Sequence, residues 1–152
     1  MTGREPPSII PAGVTVIVLA KFLHIFGLML GAAAAFGNFA VARQARLGSQ
    51  PPPKELLALR PLFARTALVA ILLLWLTGLW LYFDSYRELA LGLAFHFKLA
   101  AAALQLAAIV VVNVIVSRAN MGTPPPSWLP QLHVAGRILL VLAVACAVYV
   151  FD

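Results

Sequence analysis

Residues 62–83 read Leu-Phe-Ala-Arg-Thr-Ala-Leu-Val-Ala-Ile-Leu-Leu-Leu-Trp-Leu-Thr-Gly-Leu-Trp-Leu-Tyr-Phe, an apolar run whose only charge, Arg65, falls in its first turn. About 20 residues of helix cross a hydrocarbon core roughly 30 Å thick, so this run predicts a transmembrane helix. Three further stretches of the same kind lie at 14–42, 89–117 and 132–151. With 62% apolar and 11% charged residues in 152 positions, the chain cannot build a soluble core beneath a polar shell. The expected fold is therefore all-α, a four-helix transmembrane bundle forming one membrane domain over residues 1–152. The first stretch exceeds the spanning minimum, which implies a tilt or an extension past the headgroups toward Arg43.

The connections set the expected topology. The formal charge of +6 would suggest nucleic acid in a soluble protein, yet Arg43, Arg46, Lys54 and Arg60 cluster in the first connection, with Arg65 just beyond it. Such clustering marks a cytoplasmic loop and no nucleic-acid surface. Pro51, Pro52 and Pro53 forbid a continuous helix there. The second connection, with Asp84, Arg87 and Glu88, is short and slightly acidic, as expected of the opposite face. The third carries Arg118 and the run Pro124, Pro125, Pro126, and Arg137 lies just inside the next span. Both termini are then predicted outside, on the periplasmic face. Trp80, Tyr82, Tyr86 and Tyr149 mark the outer level and Trp128 the inner entrance to the fourth span. The stretch 14–42 is read as one uncleaved span although the small residues Gly31 to Ala35 resemble a cleavage site, because Lys21 and His24 interrupt what would be the core of a secretory signal.

Ionisable groups inside spans are costly, at least about 2.5 to 3.5 kcal/mol near the bilayer centre, and usually mean a partner, a ligand or a pathway. Two histidines, His24 and His96, each stand near a lysine, Lys21 and Lys98, within such stretches. On the first helix Lys21, His24, Gly27, Gly31, Ala34, Ala35 and Asn38 share one small, polar stripe. The Gly27–Gly31 spacing lets a neighbouring helix, or a flat cofactor, approach the backbone. His96 heads a similar stripe through Ala100, Ala103 and Ala107, with Gln105 on the other side of the helix. Counted from the outer ends, both histidines fall about 9 to 15 Å deep at about 1.5 Å per residue. Opposed imidazoles at that depth suit the two faces of a haem iron, or copper. Thr77 on the second helix offers a hydroxyl, and Asn113 on the third a cross-helix hydrogen bond. His133, at the start of the fourth span, is read as an interfacial group and Cys146 as packing.

Three short motifs carry a family resemblance: Lys21-Phe-Leu-His24-Ile-Phe-Gly27, Leu76-Thr77-Gly78-Leu79-Trp80 and His96-Phe97-Lys98-Leu99. Over the first three helices the chain resembles the small membrane proteins grouped around HemJ-type protoporphyrinogen oxidases and CopD-type copper-resistance proteins. The resemblance implies a bacterial inner-membrane protein with His24 and His96 as haem-iron ligands. It also makes Lys98 a candidate functional partner for porphyrin carboxylates, and porphyrinogen oxidation the reaction class.

Three functions are therefore expected to compete. One is a haem b- or porphyrin-binding redox protein, using His24 and His96 as metal ligands, Lys21 and Lys98 for carboxylates, and Gly27 and Gly31 as a cradle. Its partners would be membrane lipid, a porphyrin substrate, and a quinone or redox complex. The second is a copper-handling protein, weakened by isolated methionines and a single cysteine where soft sulfur would be expected. The third is a non-catalytic subunit, in which the histidines only link helices within a homo-oligomer or larger membrane complex.

Overall fold

A computed structural model describes residues 12–47, 53–86, 92–120 and 124–151. Four helices follow in order: α1 (Ala12–Leu47), α2 (Lys54–Leu81), α3 (Gly92–Asn120) and α4 (Leu129–Phe151), with a π-helical turn, Tyr82–Tyr86, closing α2. All four are long and apolar enough to cross a membrane. Helices are the natural solution here because every backbone N–H and C=O must find its partner within the segment when no water is present.

The packing is inverted relative to a soluble bundle. The buried positions are mostly small, among them Ala20, Ala34, Ala70, Ala101 and Ala108, while Leu76, Leu93, Phe97 and Val141 are turned outward. Lipid tails are as apolar as leucine, so large side chains gain nothing by facing inward, and close backbone approach through small residues is what pulls helices together. α1 lies along α2 and α3 along α4, with a shorter seam between α2 and α3; α1 and α4 have no comparable seam. The C-terminal end of α2 is tied to α3 by stacking of Tyr82 on Phe95, ring centroids 5.5 Å apart. Asn113 Nδ2 donates to the Ala64 carbonyl of α2 and to Ile109 of its own helix, both at 2.9 Å. This is the cross-helix bond that its place in the third span suggested.

The helices run further than the apolar stretches. α2 starts at Lys54 and holds Pro61 inside it, where the sequence suggested that the connection continues to that proline. A proline deprives the carbonyl four residues back of its donor, here Leu57. Leu57, Ala58 and Leu59 are exposed at the basic end, so water can supply the missing partner. Pro53 caps the helix with an extended ψ of 142°, and its carbonyl accepts from the N–H groups of Leu56 and Leu57. Pro130 sits in the first turn of α4, where a missing N–H costs nothing. α3 opens at Gly92, whose φ of +62° is open to glycine at no cost. The acidic second connection from residue 87 onward, Pro51, Pro52 and Met121 lie outside the described residues.

Two glycines of α1 meet α2 closely: a Cβ at Gly37 would fall 2.5 Å from Phe63 Cε1, and one at Gly27 would come within 3.3 Å of Leu74 Cγ and 3.4 Å of the Ala70 carbonyl oxygen. Gly13 has nothing within 4 Å. Gly27→Leu is therefore expected to lower the unfolding free energy in detergent by about 1 to 3 kcal/mol, the usual cost of overpacking. Gly13→Leu should leave it unchanged, with SDS titration monitored by circular dichroism as the measurement.

Candidate functional site

The α1 stripe faces α2 as its composition predicts, with Gly27 and Ala34 buried and His24 half-buried, while Lys21 at its outer end is exposed. His24 Nδ1 lies 2.9 Å from Thr77 Oγ1. Thr77 Oγ1 is also 2.6 Å from the Leu73 carbonyl of its own helix. A carbonyl can only accept, so the single hydroxyl hydrogen goes to Leu73 and Thr77 must accept from His24. In the neutral ring this puts the proton of His24 on Nδ1 and the lone pair on Nε2. The imidazole rests on Gly78, where a Cβ would stand 3.1 Å from its Cε1. Leu76-Thr77-Gly78 thus supplies both the acceptor and the space that seat this ring.

α3 turns its other side inward. His96, Ala100, Ala103 and Ala107 are all exposed, whereas Ala101, Ala108 and Val112 are buried and Lys98 and Gln105 are half-buried. Positions 96 and 98 are about 200° apart on a helix at 3.6 residues per turn, so only one can face the bundle. It is Lys98 that is half-buried, its ammonium 6.0 Å from the Phe95 ring centroid. The structure brings His24, Thr77, Gly78 and Lys98 into one neighbourhood and leaves His96 out of it. His96 Nδ1 donates to the Gly92 carbonyl at 2.9 Å, so its Nε2 also carries the lone pair, presented from the outward face. Gly27 is taken up by contact with α2 and Gly31 by ordinary contact with Ala70, 3.5 Å from the place of a Cβ. Among the described residues no three of His, Cys, Asp and Glu come together.

The main cavity lies elsewhere, toward the basic end between the helix pairs. It measures about 370 Å³ and is lined by Arg43, Arg46, Arg60 and Arg137, with His133 and Asn38 beside them. Ala67, Ala70, Ile71 and Leu74 of α2 form an apolar wall, and Gln105 reaches it from α3. Neither this cavity nor a smaller neighbour is lined by His24 or His96. Asn38 Nδ2 donates to His133 Nδ1 across 3.4 Å, and the Arg137 guanidinium stacks 4.5 Å from the Phe39 ring centroid, so two polar contacts join α1 and α4 here. Gln105 Oε1 is buried without a hydrogen-bond partner. Sequence reasoning assigned Arg60 and Arg137 to topology and His133 to the interface. The available signal was the pair of mid-span amides, Asn38 and Gln105, which lipid-facing positions would not tolerate.

No model of a known protein family, no curated protein and no solved structure matches this chain.

If Thr77 is the acceptor for His24, the two side chains are energetically coupled. A double-mutant cycle of Thr77→Val and His24→Leu is expected to return a coupling of about 0.6 to 1.7 kcal/mol, the range of interhelical hydrogen bonds in membranes. A cycle pairing Thr77→Val with His96→Leu should return none, both read from detergent unfolding curves.

Proposed function

We propose that this chain is a haem- or porphyrin-binding redox protein of a bacterial inner membrane, with His24 as its ligand to the iron. The single observation behind this is the seating of His24, whose Nδ1 proton is committed to Thr77 and whose Nε2 keeps its lone pair. Metal-bound imidazoles have this arrangement: the second nitrogen donates to a fixed acceptor, which holds the ring and sets its tautomer. The donor set fits haem better than a bare ion, because a porphyrin brings four nitrogens of its own and needs only one or two from the protein. This places the haem reading ahead of copper handling.

When bound, haem would supply the one-electron chemistry, including the oxidation of a porphyrinogen with electrons passed to a quinone or a partner complex. The residues of the chain would do the rest. His24, held by Thr77 and Gly78, would hold the iron through Nε2. Lys98 and Lys21 offer ammonium groups to carboxylates, Lys21 being one turn from His24 on the same stripe. Positive charge beside the iron favours its reduced state, more strongly where water is excluded.

A second reading is favoured by the place of His24 in the α1–α2 seam, reached by neither cavity: the His24–Thr77 bond joins two helices in a subunit without chemistry of its own. The two readings part on one experiment. Protein purified in mild detergent with haem supplied should show b-type absorbance bands and bound iron, lost in His24→Ala and largely kept in His96→Ala, whose ring faces outward. A colourless, iron-free protein with intact helix content by circular dichroism would leave the helix-linking role.

A further inference from the structure

The cavity at the basic end is independent of His24, and its lining has the chemistry of a binding site. Four arginines and a histidine border one volume, and no aspartate or glutamate is among the lining residues. Arg60 and Arg137 are half-buried while Arg43 and Arg46 are exposed, so two guanidiniums stand at the inside and two at the rim. Guanidiniums present planar, paired donors that match phosphate oxygens and remain charged under all relevant conditions. Holding such like charges together beside an apolar wall is unfavourable unless an anion joins them.

The shape narrows the ligand. Beside the arginines the wall is Ala67, Ala70, Ile71 and Leu74, which suits an acyl chain rather than a free ion. α1 and α4 lack the long seam that joins the other neighbours, so the cavity lies along a cleft between them that faces lipid. Gln105 Oε1, buried and lacking a donor, stands near the notch at Gly136, with the place of a Gly136 Cβ 3.8 Å away. We infer that this cavity binds an anionic phospholipid of the surrounding leaflet, its phosphate between Arg60 and Arg137 and its chain in the α1–α4 cleft.

The test is native mass spectrometry of the full chain in detergent, titrated with phosphatidylglycerol or with phosphatidylcholine of identical chains. Phosphatidylglycerol is expected to bind about thirtyfold more tightly, in line with the contribution of two cations near an anionic lipid. Arg60→Gln combined with Arg137→Gln should reduce that preference to about twofold or less, while Arg65→Gln combined with Arg118→Gln, outside the cavity but equal in charge, should keep it. Gly136→Leu adds bulk beside Gln105 without changing charge, and should weaken binding even if the double arginine variant does not fold. Equal binding of the two lipids, or equal loss in both arginine pairs, would overturn the assignment. So would displacement of phosphatidylglycerol by equimolar glycerol phosphate, which would make the site one for a free phosphate, or by equimolar haem, which would give the cavity to a porphyrin. Haem absorbance that depends on His24 is untouched by any of these outcomes, so the two proposals fail separately.

Discussion

The close approach of α1 to α2 is the contact from which the rest of the bundle takes its arrangement. Between helices in lipid there is no hydrophobic driving force, so association depends on backbone proximity and on polar groups that find each other. Both are present in this seam. Gly27 and Ala34 let α1 settle against Ala70 and Leu74, and one turn outward His24 rests on Gly78 and donates to Thr77. Thr77 is anchored in turn to Leu73, so the chain of bonds from imidazole to hydroxyl to backbone is complete and directional. A polar group that would be expensive in hydrocarbon is thereby converted into an oriented one.

Because α1 spends its small face on α2, it has little left for α4. The two meet through Asn38 with His133 and Phe39 with Arg137, and the space they leave becomes the basic cavity. The molecule thus has two polar regions: an oriented histidine near Lys98 in the half bearing the α2–α3 connection, and an arginine-lined volume at the opposite end. In the roles proposed for them, the first would hold a metal-centred ring and the second a phosphate with a hydrocarbon tail. A lipid there would fill the gap between the helix pairs, where packing is otherwise incomplete.

The four spans were legible in the sequence because lipid imposes length and composition directly, and the inward stripe of α1 was legible because glycine, alanine and asparagine are unusual enough to mark it. The rotation of α3 was not. Its two sides, His96 with three alanines and Lys98 with Ala101, Gln105 and Ala108, are equally small and equally interrupted by one ionisable group, so composition gives no preference between them. What decides is tertiary: the buried positions are those that meet α2 and α4. The start of α2 was not legible either: Lys54, Glu55 and Arg60 set the residues before Pro61 apart from the apolar run, yet the helix continues through them. The basic cavity was hidden because each arginine had a sufficient explanation in topology; only their convergence in space shows a site.

The central claim is that His24 carries its proton on Nδ1 and keeps Nε2 for a ligand. Nitrogen-15 NMR of the histidine-labelled protein in lipid, without haem, reads this directly, with His24 assigned by its loss in His24→Ala. The account predicts a protonated Nδ1 and a bare Nε2 for His24, an assignment that Thr77→Val disturbs. A proton residing on Nε2, with Nδ1 bare, would contradict it.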